Sequence, residues 1–341
     1  MKASQQGPPK GMRHQFGCGS YRVLCRDSPR LSVYSSYSAI QECCHSQNVS
    51  AGGTRPDHVR LIVLFPNWTM SKPQFGDQRL ALPNISTPER LLFRMMGVVD
   101  PAHYLHSRYF LRALASWENL RPRAILDAGC GRGDYSFYLA RRFPDAQVRG
   151  VDIDEERVSR NRRMAERLGI ENVTFEIADL VSARFSTPFD LIISIDVLEH
   201  ITQQEQALRN LSGHLTPQGR VFYHIPTARA KPVPFSGALR GFHQWAEGEH
   251  VAEDRTAADF VDVMVRAGYE VTRSVRTFGY YTGELATSLF NLPYENTRKN
   301  RVFQAMLAPF CRVLALADQL ELERTRYAVA VEARRAPPAI S

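Results

Sequence analysis

No apolar run in these 341 residues reaches the ~18 that a membrane-crossing helix needs, and no apolar segment follows Met1 as a secretory signal would require. Cysteine is scarce as well. Of six, Cys18, Cys25, Cys43 and Cys44 fall in the first 60 residues, leaving Cys130 and Cys311 to the remainder. Disulfides are therefore not expected to hold a core together, and a reducing, cytoplasmic setting is expected. Neither cysteine nor histidine stands at a zinc-site spacing, and no metal is expected. Internal repeats are absent. Acidic residues are outnumbered, 35 against 43 Lys and Arg, for a formal charge of +8. The basic residues form no stripe interleaved with aromatics, so the excess reads as an arginine-rich solvated surface, and a nucleic-acid partner is disfavoured.

Residues 1–60 hold nine Ser, eight Lys or Arg and three acids, with no sustained helix or strand period. Such a composition buries too little apolar surface to order itself. Residues 1–85 are expected to be a leader without regular structure: a transit-peptide-like segment, or an upstream stretch outside a native protein that begins at Met70 or Met95. The stretch from Thr87 to Arg335 is long enough for one α/β domain with a substantial core.

The run Ile125-Leu126-Asp127-Ala128-Gly129-Cys130-Gly131-Arg132-Gly133-Asp134 reads as an apolar strand, a glycine-rich bend and the start of a helix. Glycines at alternate positions permit a tight turn and let a ligand lie against bare main chain, facing the free N–H groups of the helix. A dinucleotide fingerprint would place a small residue three places after Gly131, where this chain has Asp134. Further strands follow at Gln147 to Asp152, Val173 to Ile177, Leu191 to Ile195 and Arg220 to Pro226, with helical segments between them. That alternation predicts a parallel, doubly wound sheet.

The pattern Asp127-x-Gly129-x-Gly131-x-Gly133, with the acids that follow, resembles class I S-adenosylmethionine-dependent methyltransferases. The resemblance implies a Rossmann-like sheet of seven strands with the last antiparallel, and S-adenosylmethionine as cofactor. It places Asp127, Gly129, Gly131 and Gly133 beneath the cofactor, Asp152 on the ribose hydroxyls, Ile153 on the adenine face, and Asp179, with Leu180, at the adenine amine. Ile195 would close the same edge. A turn aspartate bonding its own backbone is the alternative for Asp179. Asp154 is expected to cap the next helix, which Gly169 ends.

After the fourth strand comes Asp196-Val197-Leu198-Glu199-His200, which resembles small-molecule methyltransferases, including those acting on quinone precursors, and departs from the Asn/Asp-Pro-Pro-aromatic turn of nucleic-acid amino-methyltransferases. The expected activity is methyl transfer to a small-molecule acceptor, with oxygen or carbon favoured. The alternatives are a non-catalytic cofactor binder and a nucleic-acid methyltransferase. A hydroxyl or acidic carbon needs a base, and His200, His243 and His250 are the candidates.

Residues 226–255 read as a lid over the acceptor. A helix from Thr256 carries Phe260, Val261, Met264 and Val265 on one face, and strands at Glu270 to Phe278 and Tyr327 to Ala333 complete the sheet. Residues 279–325 form an insertion with a helix, Arg301 to Leu320, behind Arg298, Lys299 and Arg301. A basic flank of this kind allows peripheral membrane contact or a lipid-like acceptor, although such a helix more often covers the sheet. Ahead of the core, Pro88 to Val99 and Pro101 to Asn119 predict a two-helix cap in residues 86–120, with Pro at the first helical position. Tyr104, Arg108 and Tyr109 would pack it down or touch ligand. Oligomeric state is not legible.

Overall fold

The computed structural model describes residues 21–23, 32–34, 75–82, 85–98, 101–117, 119–227, 255–279, 282, 310–311, 313–318, 326 and 328–337. The chain divides into two units, residues 1–70 and 71–341. In the first, where no regular structure is expected, Tyr21–Val23 and Ser32–Tyr34 pair as an antiparallel hairpin.

The second unit is built on seven strands: β1 (Ala124–Ala128), β2 (Gln147–Asp152), β3 (Val173–Ile177), β4 (Phe189–Ile195), β5 (Leu215–Pro226), β6 (Tyr269–Thr277) and β7 (Ala328–Arg335). Their order across the sheet is β3-β2-β1-β4-β5-β7-β6. The first five are parallel, and β7 runs antiparallel to both neighbours. The sequence places the strands correctly to within a residue or so, except that β5 begins at Leu215, inside the expected turn.

Helices cover both faces, which is why β1 and β4 carry consecutive apolar residues, Ile125-Leu126 and Leu191-Ile192-Ile193, rather than alternating ones. Ile125 and Ile193 pack on one side with Phe110, Phe137 and Phe222, while Leu126 and Ile192 pack on the other with Leu208, Leu211 and Phe260. The helices are α1 (Thr87–Met96), α2 (Pro101–Ser116), α3 (Asp134–Arg142), α4 (Glu155–Leu168), α5 (Gln204–Gly213) and α6 (Ala257–Arg266). Asp154 caps α4 by accepting from Arg157 N at 3.0 Å, and Gly169 ends it at φ 61°, both as expected. Helix α6 opens with the Thr256/Asp259 capping box. Its buried face differs from the expected one. Val263 is fully buried beside Phe260 and Met264, whereas Val265 is 55% exposed.

The cap is bolted to the sheet through α2, whose Leu105, Tyr109, Phe110 and Ala113 are buried. Arg108 reaches Asp318 Oδ2 at 2.8 Å and Ala315 O at 3.0 Å, so Arg108 and Tyr109 pack the cap down, the first of the two roles expected for them. Trp117 closes the other end by donating to Glu332 Oε2 of β7 at 3.0 Å. Within the expected insertion, Phe310 to Asp318 includes helical residues, but Arg298, Lys299, Arg301 and most of the predicted helix lie outside the described residues. Among the described residues no helix is long and apolar enough to cross a membrane.

A buried hydroxyl pair ties β5 to β6 and α5. Tyr269 Oη lies 2.8 Å from Tyr223 Oη and donates to Leu208 O at 3.0 Å. Tyr269→Phe removes both bonds and leaves the Tyr223 hydroxyl without its partner, so a loss of about 2 kcal/mol is expected, read from the urea midpoint at unchanged m.

Candidate active site

The strand order reverses at β1, with β2 on one side and β4 on the other, and ligands of such sheets bind at the carboxyl ends beside that reversal. The glycine bend sits there. Gly129, Gly131 and Gly133 all have positive φ, at 83°, 51° and 76°. A Cβ at Gly129 would fall 2.4 Å from Val197, so the bend packs directly on the turn after β4. One at Gly131 would meet nothing within 4 Å, which leaves the space above the bend open.

Asp152, closing β2, is nearly buried and grips the bend. Its Oδ2 accepts from Gly131 N at 2.8 Å and its Oδ1 from Asp154 N at 3.0 Å. Each oxygen keeps a lone pair for a further donor. Ile153 beside it is 74% exposed, an apolar side chain presented at the carboxyl edge as the face of an aromatic base would require. Asn161 of α4 fixes the bend from below by donating to Gly131 O at 2.9 Å.

Three further residues that the resemblance assigns to the cofactor make contacts within the protein. Asp127 is buried and accepts from Ser136 Oγ at 2.5 Å, so it braces the start of α3. Leu180 is buried in the second core cluster. Asp179 is exposed and its Oδ1 accepts from Val181 N at 2.9 Å, the turn geometry held open as its alternative. Ile195 is half-buried at the end of β4. Cys130, inside the bend, is an unreactive thiol, since burial and then the Asp127 charge push its pKa up.

Burial raises the Asp127 carboxyl from 3.8 to about 7, with the Ser136 bond opposing and the Asp152 and Asp134 charges assisting. An acid whose folded pKa lies above its unfolded value loses stability as pH rises, because between pH 4 and 7 the unfolded chain releases a proton that the folded chain keeps. Asp127→Asn, which can still accept from Ser136, should therefore gain stability relative to the unsubstituted protein across that range, on the order of 2 kcal/mol by pH 7.5. Paired urea titrations at pH 4.5 and 7.5 measure it; a pH-independent difference would sink the assignment.

Beside the bend, three residues from three elements converge. Asp196, just after β4, accepts from His224 Nδ1 of β5 at 2.7 Å on Oδ1, and its Oδ2 lies 2.6 Å from His106 Nδ1 of α2, a close ionic contact without hydrogen-bond geometry. His224 is buried, and its Nε2 lies 2.9 Å from Thr277 Oγ1. Burial works against the Asp196 charge, but the two imidazoles outweigh it and hold the carboxyl below its usual range. Phe278 packs on His106 and His224, with ring centroids 4.5 and 5.2 Å away. Asp196 and Phe278, both at φ 54°, are the two non-glycine residues with positive φ among the described residues. Such strain costs about 1–3 kcal/mol per residue and gathers at functional sites. The ligand atoms of the three groups lie within 4.8 Å of one another. Their contacts of 2.6 and 2.7 Å are shorter than the roughly 3 Å separating two donors on one small cation.

The other expected bases stand apart from this cluster. His200 is exposed, with Nε2 3.8 Å from Glu199 Oε1, and His243 and His250 lie outside the described residues. Glu199 is buried with Oε2 lacking a hydrogen-bond partner, and burial followed by the Asp196 charge raises its carboxyl well above the usual range. Tyr135, one residue into α3, likewise buries an unpartnered hydroxyl. Two orphaned polar groups beside an open bend, an anchored carboxylate and an exposed Ile153 suit a polar nucleoside. Sequence reasoning missed His106, Asp196 and His224 as a group. Asp196 carried a signal, being in the motif quoted above; the two histidines carried none, because only the fold brings them to it.

Fold, bend and carboxylate resemble those of class I S-adenosylmethionine-dependent methyltransferases, whose cofactor is S-adenosylmethionine. A methyltransferase domain matches residues 122–259. Among curated proteins, the chain is 25% identical over 167 residues to the ubiquinone biosynthesis O-methyltransferase of Coxiella burnetii, covering 46% of this chain and 70% of that one. It is 32% identical over 93 residues to ajmaline N-methyltransferase of Rauvolfia serpentina, covering 27% of this chain; the match spans about a third of the relative's length, 32%. Among solved structures, phosphoethanolamine N-methyltransferase 2 of Haemonchus contortus shares the fold, at TM-score 0.51 and 15% identity, over 75% of this chain and 61% of that one.

Proposed function

We propose that the protein transfers the methyl group of S-adenosylmethionine to a small-molecule acceptor, at oxygen or an acidic carbon. The observation that carries this reading is the His106–Asp196–His224 cluster at the same sheet edge as the glycine bend, since proton removal is what a hydroxyl or acidic carbon needs. The Asp196–His200 turn supports a small molecule over a nucleic acid. The cofactor supplies a methyl on a positively charged sulfur, already activated.

The chain's own residues then have little chemistry to do. Asp152 takes the ribose hydroxyls, Ile153 covers the adenine, and Asp179 turns its remaining acceptor capacity to the adenine amine. The cap covers the site, fixing the acceptor in line and keeping water out, which supplies much of the barrier reduction; residues 228–254, most of the expected lid, lie outside the described residues. Relatives named for N-methylation keep nitrogen as a second reading.

Incubating the full chain with methyl-labelled S-adenosylmethionine and cell extract tests the proposal. The expected result is a labelled low-molecular-weight product with equimolar S-adenosylhomocysteine, whose fragmentation places the methyl on oxygen or carbon. Label on nitrogen selects the second reading. Binding without release of S-adenosylhomocysteine leaves only a cofactor binder.

A further inference from the structure

We infer that His106, on the cap helix, is the general base of the reaction, held in its working tautomer by Asp196, with His224 and Thr277 positioning that carboxylate. The inference deepens the methyl-transfer reading above and rests on it.

The placement comes first. Val197, the residue after Asp196, is the side chain on which the Gly129 bend packs, so Asp196 stands at the rim of the cofactor's expected seat. Its backbone is pinned by donating from Asp196 N to His224 O at 2.9 Å. His106 is the exposed member, its side chain 31% accessible against 2% for His224. The same carboxylate thus has an inner imidazole that no acceptor can reach and an outer one that faces the mouth. The outer ring is fixed by Phe278 against one side and by the 2.6 Å contact through Nδ1.

Tautomer follows from that contact. A carboxylate only accepts, so His224 Nδ1 carries its proton toward Asp196 and His224 Nε2 accepts from the Thr277 hydroxyl, while an unprotonated His106 Nδ1 at 2.6 Å from Oδ2 would set two lone pairs against each other, which places the His106 proton on Nδ1 as well. His106 Nε2 is then the basic nitrogen. As the acceptor's oxygen forms its bond to the methyl carbon, the carbon–sulfur bond breaks with its electron pair going to sulfur, and the acceptor's O–H proton passes to His106 Nε2. The imidazolium so formed lies against Asp196. The other ionisable groups facing this centre are Glu199, whose carboxyl burial raises well above its usual range, Tyr109 from α2 and Tyr135 from α3, whose phenols burial also raises. The substrate class that needs this device is one with an acidic hydroxyl, such as a phenol or enol.

Three measurements on the full-length protein decide it. Histidine-selective ¹⁵N spectra, with His106 assigned by its loss in His106→Gln, should show the Nδ1–H tautomer; an Nε2–H tautomer overturns the inference. With labelled S-adenosylmethionine and the extract, His106→Gln and His106→Ala should lose ~100-fold or more in transfer rate while calorimetric cofactor affinity stays within about threefold, and added imidazole should restore part of the His106→Ala rate. Rates within about fivefold of the unsubstituted protein would remove His106 from the chemistry. Zn²⁺ alone, titrated calorimetrically, should not bind; tight uptake abolished by His106→Gln would make the three groups metal ligands instead. An unsubstituted protein that transfers no label to anything in the extract refutes the methyl-transfer reading itself. An active protein indifferent to His106 refutes only the base.

Discussion

Gly129→Ala is expected to destabilise the protein by about 3–5 kcal/mol and to abolish cofactor binding, because it combines backbone strain with overpacking. At φ 83° an alanine occupies a conformation that L-residues avoid, and its Cβ falls 2.4 Å from both Val197 γ-carbons. Neither penalty is easily relieved. Gly129 N and Cys130 N both donate to Val151 O at 2.8 Å, so rotating the bend out of the left-handed region breaks its attachment to β2. Val197 in turn is the hinge between Asp196 and the 3₁₀ turn Leu198–His200, and pushing it outward disturbs the His106–Asp196 contact. Thermal unfolding and S-adenosylmethionine calorimetry measure the two effects. Val197→Ala combined with Gly129→Ala should recover part of the stability, since it removes the clash and leaves the strain. Gly131→Ala serves as comparison: its Cβ meets nothing within 4 Å of the protein, so it should cost less stability while still obstructing the cofactor. Equal stability of Gly129→Ala and the unsubstituted protein would contradict the geometry.

Asp152→Ala should weaken S-adenosylmethionine binding ~100–1000-fold, since each charged hydrogen bond lost is worth about 1.5–3 kcal/mol. The carboxylate has two tasks that one substitution removes together. It holds Gly131 N and Asp154 N, so without it the bend and the start of α4 lose their common anchor. It also offers the ribose its acceptors. Asp152→Asn separates the tasks: the amide oxygen can keep one backbone donor while its NH₂ repels the other, so the asparagine protein should fold better than the alanine protein yet bind cofactor almost as poorly. Calorimetric affinity alongside the unfolding temperature distinguishes these effects. Retention of full affinity in both variants would remove Asp152 from the cofactor site.

The strands were legible because a parallel sheet covered on both sides writes itself as short apolar runs, and helix starts because Asp154 and Thr256 are caps that satisfy free N–H groups locally while Pro88 and Pro101 suit a first turn. What each residue meets in the folded chain was less legible. Val265 satisfies the helical period of α6 yet faces solvent, since the period fixes which residues share a face and leaves open which neighbour covers each of them. Asp127 matched the cofactor pattern, but the structure engages it with Ser136. Asp179 matched it too, but its Oδ1 is occupied by its own turn.

The sequence by itself determined the glycine bend, the sheet it belongs to and the acid that closes β2, because these depend on local backbone freedom and on residues a few positions apart. Only the tertiary structure decided the proton-handling group. His106, Asp196 and His224 come from the cap, the end of β4 and β5, and their 2.6 and 2.7 Å contacts exist because α2 packs its buried face onto the sheet and carries one imidazole to the reversal point of the strand order. No period or spacing encodes a meeting between residues 90 apart; a packed interface does.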